Sequence, residues 1–208
     1  TTNNLNKIYT KQTFPITSIP EEIEIYTQAS EFIDLNDEIE QQAEDIIQGE
    51  TDLYKVTFNF ADWINQNIQY NLTTLTSESV QSSSWVLENR EGVCDEITNL
   101  FISFCRSVGI PAKFISGVAY TNVNDNFGAH GWAEVYIDGQ WIPFDVTYGT
   151  FGWIDPSHIK FNEQQDPSTP SIEFEWSGNG FSISGTELNA ETIITDTEGT
   201  TEPIIDIE

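Results

Sequence analysis

Apolar residues recur at a helical period through the first half of the chain and at a strand period after residue 112. Ile39, Ala43, Ile46 and Ile47 line one side of a helix expected over 37–48, with Asn36 placed to cap its start and Gly49 to stop it. Val56, Phe60, Trp63 and Ile64 form the apolar stripe of a helix over 52–67, and a short helix is expected over 83–89. The best-formed stripe is Val93, Ile97, Leu100, Phe101, Phe104 and Val108, a helix over 93–108 that Gly109 and Pro111 end. Strand patterns follow over 113–120, 129–137, 140–146 and 157–161. Helices first and antiparallel strands afterwards define an α+β fold, with the helices packed on the sheet.

The pair Asp138-Gly139 signals a two-residue hairpin. It sets residue 136 opposite 141 and 134 opposite 143, and continued outward it brings 130 and 132 level with 147 and 145. Side chains of one parity share a face. Ala133, Val135, Ile137, Ile142, Phe144 and Val146 therefore make the core face, while His130, Trp132, Glu134, Trp141, Pro143 and Asp145 share the other. The aromatic residues on that second face imply a cleft more than open solvent.

The flanks differ from this core. Residues 1–36 read as an extended lead-in, 37–161 as the core, and 162–208 as an acidic extension with short β-like runs at 171–176 and 181–184, or as the start of a following domain. The 208 residues carry a formal charge of −27, which divides as −10 over 1–70, −6 over 71–160 and −11 over 161–208. Such a chain repels phosphate backbones and anionic headgroups, so nucleic acid and membrane contact by this segment are excluded as its business. There is no methionine and the first residue is Thr1, so the chain is read as a piece of a longer protein, with an extracellular or cell-surface setting favoured over a cytoplasmic one.

Two cysteines stand 11 residues apart, Cys94 and Cys105. On one helix that is about 16 Å, too far for a disulfide. Cys105 fits a buried structural thiol. Cys94 lies in the first helical turn, where the helix dipole favours a thiolate. Asp95 and Glu96 oppose that effect and would have to point outward, or a cation would have to sit nearby. His130 and Asp145 are diagonal neighbours across the hairpin, the base and orienter that a nucleophilic cysteine needs. His158, the other histidine, reads as structural or as polar support. Asn122, Asn124 and Asn126 mimic a calcium loop, but Phe127 stands where that loop needs glycine, so neither metal nor cofactor is expected.

Four blocks, Arg90-Glu91-Gly92-Val93-Cys94, Arg106 to Lys113, Ala129-His130-Gly131-Trp132-Ala133-Glu134-Val135 and Trp141 to Thr147, resemble the transglutaminase-like core, whose text runs R-x-G-x-C, R-x-x-G-I-P-A-R, A-H-x-W-x-E-V and W-x-x-x-D-P-T. The chain departs from it with Lys113 for arginine and Val146 for proline. The resemblance implies a papain-like fold, with Cys94 as nucleophile, His130 as base and acid, and Asp145 as orienter. It implies an oxyanion hole built on the Cys94 N–H with Tyr70 or Trp85, and a protein or peptide substrate, for which Trp132 and Trp141 of the second face are the candidate cleft residues. The expected activity is thiol-dependent acyl transfer, as hydrolysis or as transglutaminase cross-linking. A binding or assembly module of a larger surface protein is the non-catalytic alternative.

Overall fold

The computed structural model describes residues 12–76, 80–121 and 126–167. The expected β-like runs at 171–176 and 181–184 lie outside the described residues, as does most of the asparagine-rich loop at 122–126. Helices α1 (Asp37–Ile47), α2 (Leu53–Asn67), α3 (Ser83–Asn89) and α4 (Cys94–Ser107) form one layer. Strands β3 (Ala112–Thr121), β4 (Asn126–Ile137), β5 (Gln140–Asp145), β6 (Thr150–Phe151) and β7 (His158–Gln164) form an antiparallel sheet in the order β6-β5-β4-β3-β7. Two short strands, β1 (Gln69–Tyr70) and β2 (Glu91–Gly92), pair in parallel and set Tyr70 beside Gly92, two residues before Cys94.

Local chemistry ends each helix where the sequence indicates. The Asn36 carboxamide accepts from the Ile39 N–H at 2.8 Å, and Asp52 caps α2 through the Tyr54 N–H at 3.1 Å. Ser82 caps α3 through the Trp85 N–H. At α4 the cap works in reverse: Val93 has no side-chain acceptor, so the buried Glu96 reaches back to the Val93 N–H at 2.9 Å and to the Gln81 N–H at 3.2 Å. Each such cap is worth about 1 kcal/mol.

α4 lies at the centre of the core. Phe101 stacks on Phe144 of the sheet at 5.4 Å, and Phe104 meets Phe60 and Trp63 of α2 at 5.7 Å each. Aromatic pairs of this kind add about 0.5–1.5 kcal/mol beyond their burial. The hairpin register is the expected one: Ala133 faces Phe144, Val135 faces Ile142, and Asp138 and Gly139 turn with φ of 51° and 77°. The expected core face, Ala133 through Val146, is buried as a set.

The flanks depart from expectation. The lead-in is not simply extended: Glu21–Thr27 is a 3-10 helix, and Ile23 and Ile33 are buried. At the other end β7 runs to Gln164, three residues past the expected edge of the core. The buried Arg106 guanidinium ties both ends to α4, donating to the carbonyls of Gln28 (2.9 Å) and Gln165 (2.5 Å) and twice to that of Ala112 (3.0 and 2.9 Å).

Candidate active site

Cys94 occupies the first position of α4, half-buried, with the backbone N–H of Gly131 directed at its sulfur. That contact joins α4 to β4 one residue from His130. It requires a glycine: a Cβ at position 131 would lie 2.5 Å from both Asp95 Oδ1 and Phe114 Cζ. Thr98 of α4 fastens the same residue by donating to the Gly131 carbonyl at 3.2 Å.

His130 is buried and donates its Nε2–H to Asp145 Oδ2 at 2.7 Å. Its Nδ1 is thereby left for another partner. Asp145 is wholly buried, and its Oδ1 accepts from the Tyr148 N–H at 3.0 Å. Burial works to raise its pKa, but the bonds from His130, His158 and Tyr148 outweigh that and hold it at about 2. Tyr148 lies over the open face of the imidazole, its ring stacked 4.6 Å from that of His130.

The cysteine environment differs from the expectation. Asp95 does not point outward. It accepts from the Cys94 S–H at 3.5 Å, and Glu96 is spent on the Val93 cap. Burial first, and the Asp95 charge second, push the Cys94 thiol well above its ordinary value, against the Gly131 N–H that lowers it. Burial also raises Asp95. Among the described residues no hydrogen bond joins the Cys94 sulfur to His130, although the His130 charge acts on Asp95 beside it.

Of the two expected cleft residues, Trp132 is covered and Trp141 is partly so. Trp132 is 0% exposed, wedged between the His130 ring at 6.1 Å and the His158 ring at 5.4 Å, so it is a wall beneath the histidines. Trp141 stands four residues from Asp145, about 13 Å along β5. Tyr26 of the 3-10 helix packs edge-on to its ring at 5.2 Å, and the Lys113 ammonium sits over it at 4.1 Å. The expectation fails for Trp132 because His158, from a distant strand, packs against it. The aromatic residues that do flank Cys94 are Tyr70, 48% exposed, and Tyr148, 43% exposed. Burial and the neighbouring Cys94, Tyr148 and Asp95 push the Tyr70 phenol up to about 12, so it remains a hydrogen-bond donor across the working pH range. Trp85 instead packs on α3 against the hydrophobic core, and no hydrogen bond or ring contact among the described residues brings it to the sulfur. Tyr148 escaped sequence reading because it lies beyond β5, with only its place after Asp145 to mark it.

His158 joins the cluster from β7. Its Nε2 donates to Asp145 Oδ2 at 2.9 Å and its Nδ1 meets Asp155 Oδ1 at 3.0 Å. His130, Asp145 and His158 are the group among the described residues whose ligand atoms lie close enough to meet a metal ion, within 4.8 Å of one another. Both Nε2 atoms are bonded to the carboxylate. Cys94 and Cys105 are both free thiols.

The family model of the transglutaminase-like superfamily matches residues 40–146. The chain is 26% identical to the uncharacterized protein YebA of Bacillus subtilis over 111 residues, 46% of this chain and 14% of that one. It is 27% identical to the human (Homo sapiens) kyphoscoliosis peptidase over 132 residues, 59% of this chain and 20% of that one. The solved structure of a candidate cysteine protease from Cytophaga hutchinsonii superposes with a TM-score of 0.64 at 25% identity, covering 76% of this chain and 52% of that one. The chain thus spans a fifth or less of those two sequence relatives and about half of the solved one.

Proposed function

The chain belongs to the transglutaminase-like superfamily, and from that premise we propose that it is a thiol-dependent acyl-transfer enzyme that hydrolyses peptide or amide bonds through a thioester on Cys94. The observation that carries this reading is the placement of three side chains. Cys94 heads α4 with the Gly131 N–H on its sulfur, and the next residue back along β4, His130, is locked to Asp145 at 2.7 Å with Nδ1 unspent.

In this mechanism the Cys94 proton passes to His130 Nδ1, leaving a thiolate–imidazolium pair that Asp145 stabilises. The thiolate attacks the carbonyl carbon. A C–S bond forms, and the carbonyl electrons move to oxygen. The Cys94 N–H, which has no partner within the helix at its first position, and the Tyr70 hydroxyl are the donors for that oxyanion. Collapse expels the amine, which takes the proton from His130. Water, deprotonated by the same nitrogen, then releases the carboxylic acid. Hydrolysis is favoured over cross-linking because two of the similar proteins are named as a peptidase and a candidate cysteine protease.

The test is labelling of the chain with iodoacetamide and turnover of a peptide library, for the wild type, Cys94→Ala and His130→Ala. Fast labelling confined to Cys94 and dependent on His130, with new peptide N-termini in the wild type alone, is the expected result. Labelling that His130→Ala leaves unchanged would remove the reading. Amine incorporation without new N-termini would make it a transglutaminase.

One observation favours a second reading, a binding or assembly module: the Cys94 thiol rests on Asp95 with its pKa raised. Capture of a protein partner that survives Cys94→Ala, together with an unreactive thiol, would select it.

A further inference from the structure

His158 lies outside the three residues of the proposed reaction, yet both of its ring nitrogens are held by carboxylates. Its side chain is 1% exposed, so no substrate reaches it. Each ring nitrogen faces a carboxylate: Nε2 meets Asp145 Oδ2 at 2.9 Å, and Nδ1 meets Asp155 Oδ1 at 3.0 Å. A neutral imidazole has one N–H and can satisfy one of these. The imidazolium has two and satisfies both.

We infer that His158 is a positioning residue: it acts as an imidazolium clamped between Asp155 and Asp145, and it fixes the Asp145 carboxylate in the orientation that meets His130. The inference rests on the proposed reading of Cys94, His130 and Asp145.

The geometry around Asp145 shows what the clamp does. Oδ1 is taken by the Tyr148 N–H at 3.0 Å, and Oδ2 receives both histidines. Without His158 the carboxylate is held by Tyr148 and His130 alone, and the second of these is the group it has to orient. The clamp is also electrostatic. A wholly buried carboxylate needs a compensating charge. Below its raised pKa His158 supplies that charge, so His130 stays free to gain and lose its proton.

Asp155 anchors the other side of the ring. It accepts from the Ser157 N–H at 2.9 Å and from the Ser157 hydroxyl, and these bonds, with that of His158, keep it ionised against its partial burial. Trp132 closes the ring edge-on at 5.4 Å, and Tyr148 and His130 face it at 5.5 and 5.7 Å. The ionisable groups facing His158 are therefore Asp145, Asp155, His130 and Tyr148. Burial lowers the His158 pKa, but the two carboxylates more than reverse this and leave it raised.

The experiment measures iodoacetamide labelling of Cys94 in the full chain from pH 5 to 10, with thermal melting as the check on folding. The variants are His158→Gln, His158→Phe, Asp155→Asn and His130→Ala. The wild type should label faster than His130→Ala, with that advantage fading as the pH rises through the raised His158 value. His158→Gln and His158→Phe should lose about ten-fold in rate at pH 7 and show no such fading. Asp155→Asn should move the fading to lower pH, because Asp155 helps hold the proton on His158. That half-exposed aspartate also keeps the test alive if the His158 variants fail to fold. A filler role would leave the fading where it is in the wild type, and that result, or His158 variants labelling at the wild-type rate and profile, overturns the inference while leaving the triad reading intact. A wild type no faster than His130→Ala sinks the triad reading and the inference with it. One zinc ion bound per Cys94→Ser chain, and lost when His158→Gln is added, would make the cluster a metal centre and overturn the imidazolium.

Discussion

Asp95 turns its carboxyl back on the residue before it and accepts the Cys94 S–H at 3.5 Å. The consequence opposes nucleophilicity. The helix dipole and the Gly131 N–H favour the thiolate, while burial and the Asp95 charge favour the thiol, and the second pair wins. Replacing Asp95 by Asn removes the charge and keeps the shape. Iodoacetamide labelling of Cys94 at pH 7 should then speed up, by roughly five-fold if about one kcal/mol of repulsion is relieved. Unchanged or slower labelling would mean that the Asp95 charge does not govern this thiol.

Gly131 provides a sharper steric test. A methyl group there would meet Asp95 Oδ1 and Phe114 Cζ at 2.5 Å, whereas at Gly128 on the same strand it would meet nothing within 4 Å. Gly131→Ala should lose about 1–3 kcal/mol in urea unfolding and should slow Cys94 labelling by pushing α4 away from β4. Gly128→Ala should leave both unchanged apart from a few tenths of a kcal/mol. Equal effects at the two positions would contradict the close approach of Cys94 to the strand.

The residues that sequence reading placed well are those governed by local rules. Asp138-Gly139 sets the hairpin register, the register puts His130 and Asp145 on one face, and the apolar stripe of α4 brings Cys94 to the sheet. What it misplaced depended on chain segments far apart in sequence. Trp132 and Trp141 looked like cleft residues because the roof over them, His158 from β7 and Tyr26 from the lead-in, has no local signature. Asp95 was expected to point away, since a rotamer toward Cys94 is chosen by the absence of a side chain at Gly131, 36 residues on. His158 reads as polar support from sequence, yet its contact with Asp145 needs β7 to pair with β3, a pairing that no turn announces.

The two shifted groups of the cluster give stability opposite pH limits. Asp145 is depressed from an ordinary 3.8 to about 2, so its contribution is full above the ordinary value and fades as the pH falls toward 2. His158 is raised above 6.5, so its contribution is full below that value and is lost as the pH climbs through the raised one. Melting temperature against pH should therefore fall at both ends, and the alkaline fall should vanish in His158→Gln. An alkaline fall that persists in that variant would assign it to another group.

Tyr148 covers the His130 ring at 4.6 Å while remaining 43% exposed, and Tyr70 lies near the same sulfur at 48%. The pair flanks Cys94 where Trp132 and Trp141 do not, and their different attachments predict different effects. Tyr148 anchors Asp145 through its backbone N–H, which substitution keeps, so Tyr148→Ala should uncover the imidazole without freeing the carboxylate. On a cleaved peptide it should raise KM several-fold and leave the pH profile of Cys94 labelling close to that of the wild type. Tyr70 holds its phenol proton up to about pH 12 and can donate to a developing oxyanion. Tyr70→Phe keeps the ring and removes that donor. It should lower kcat by about 100-fold with little change in KM, the magnitude of losing one oxyanion donor. If Tyr70→Phe changes KM alone, the phenol contacts substrate and not the transition state, and the second donor must lie elsewhere on the rim.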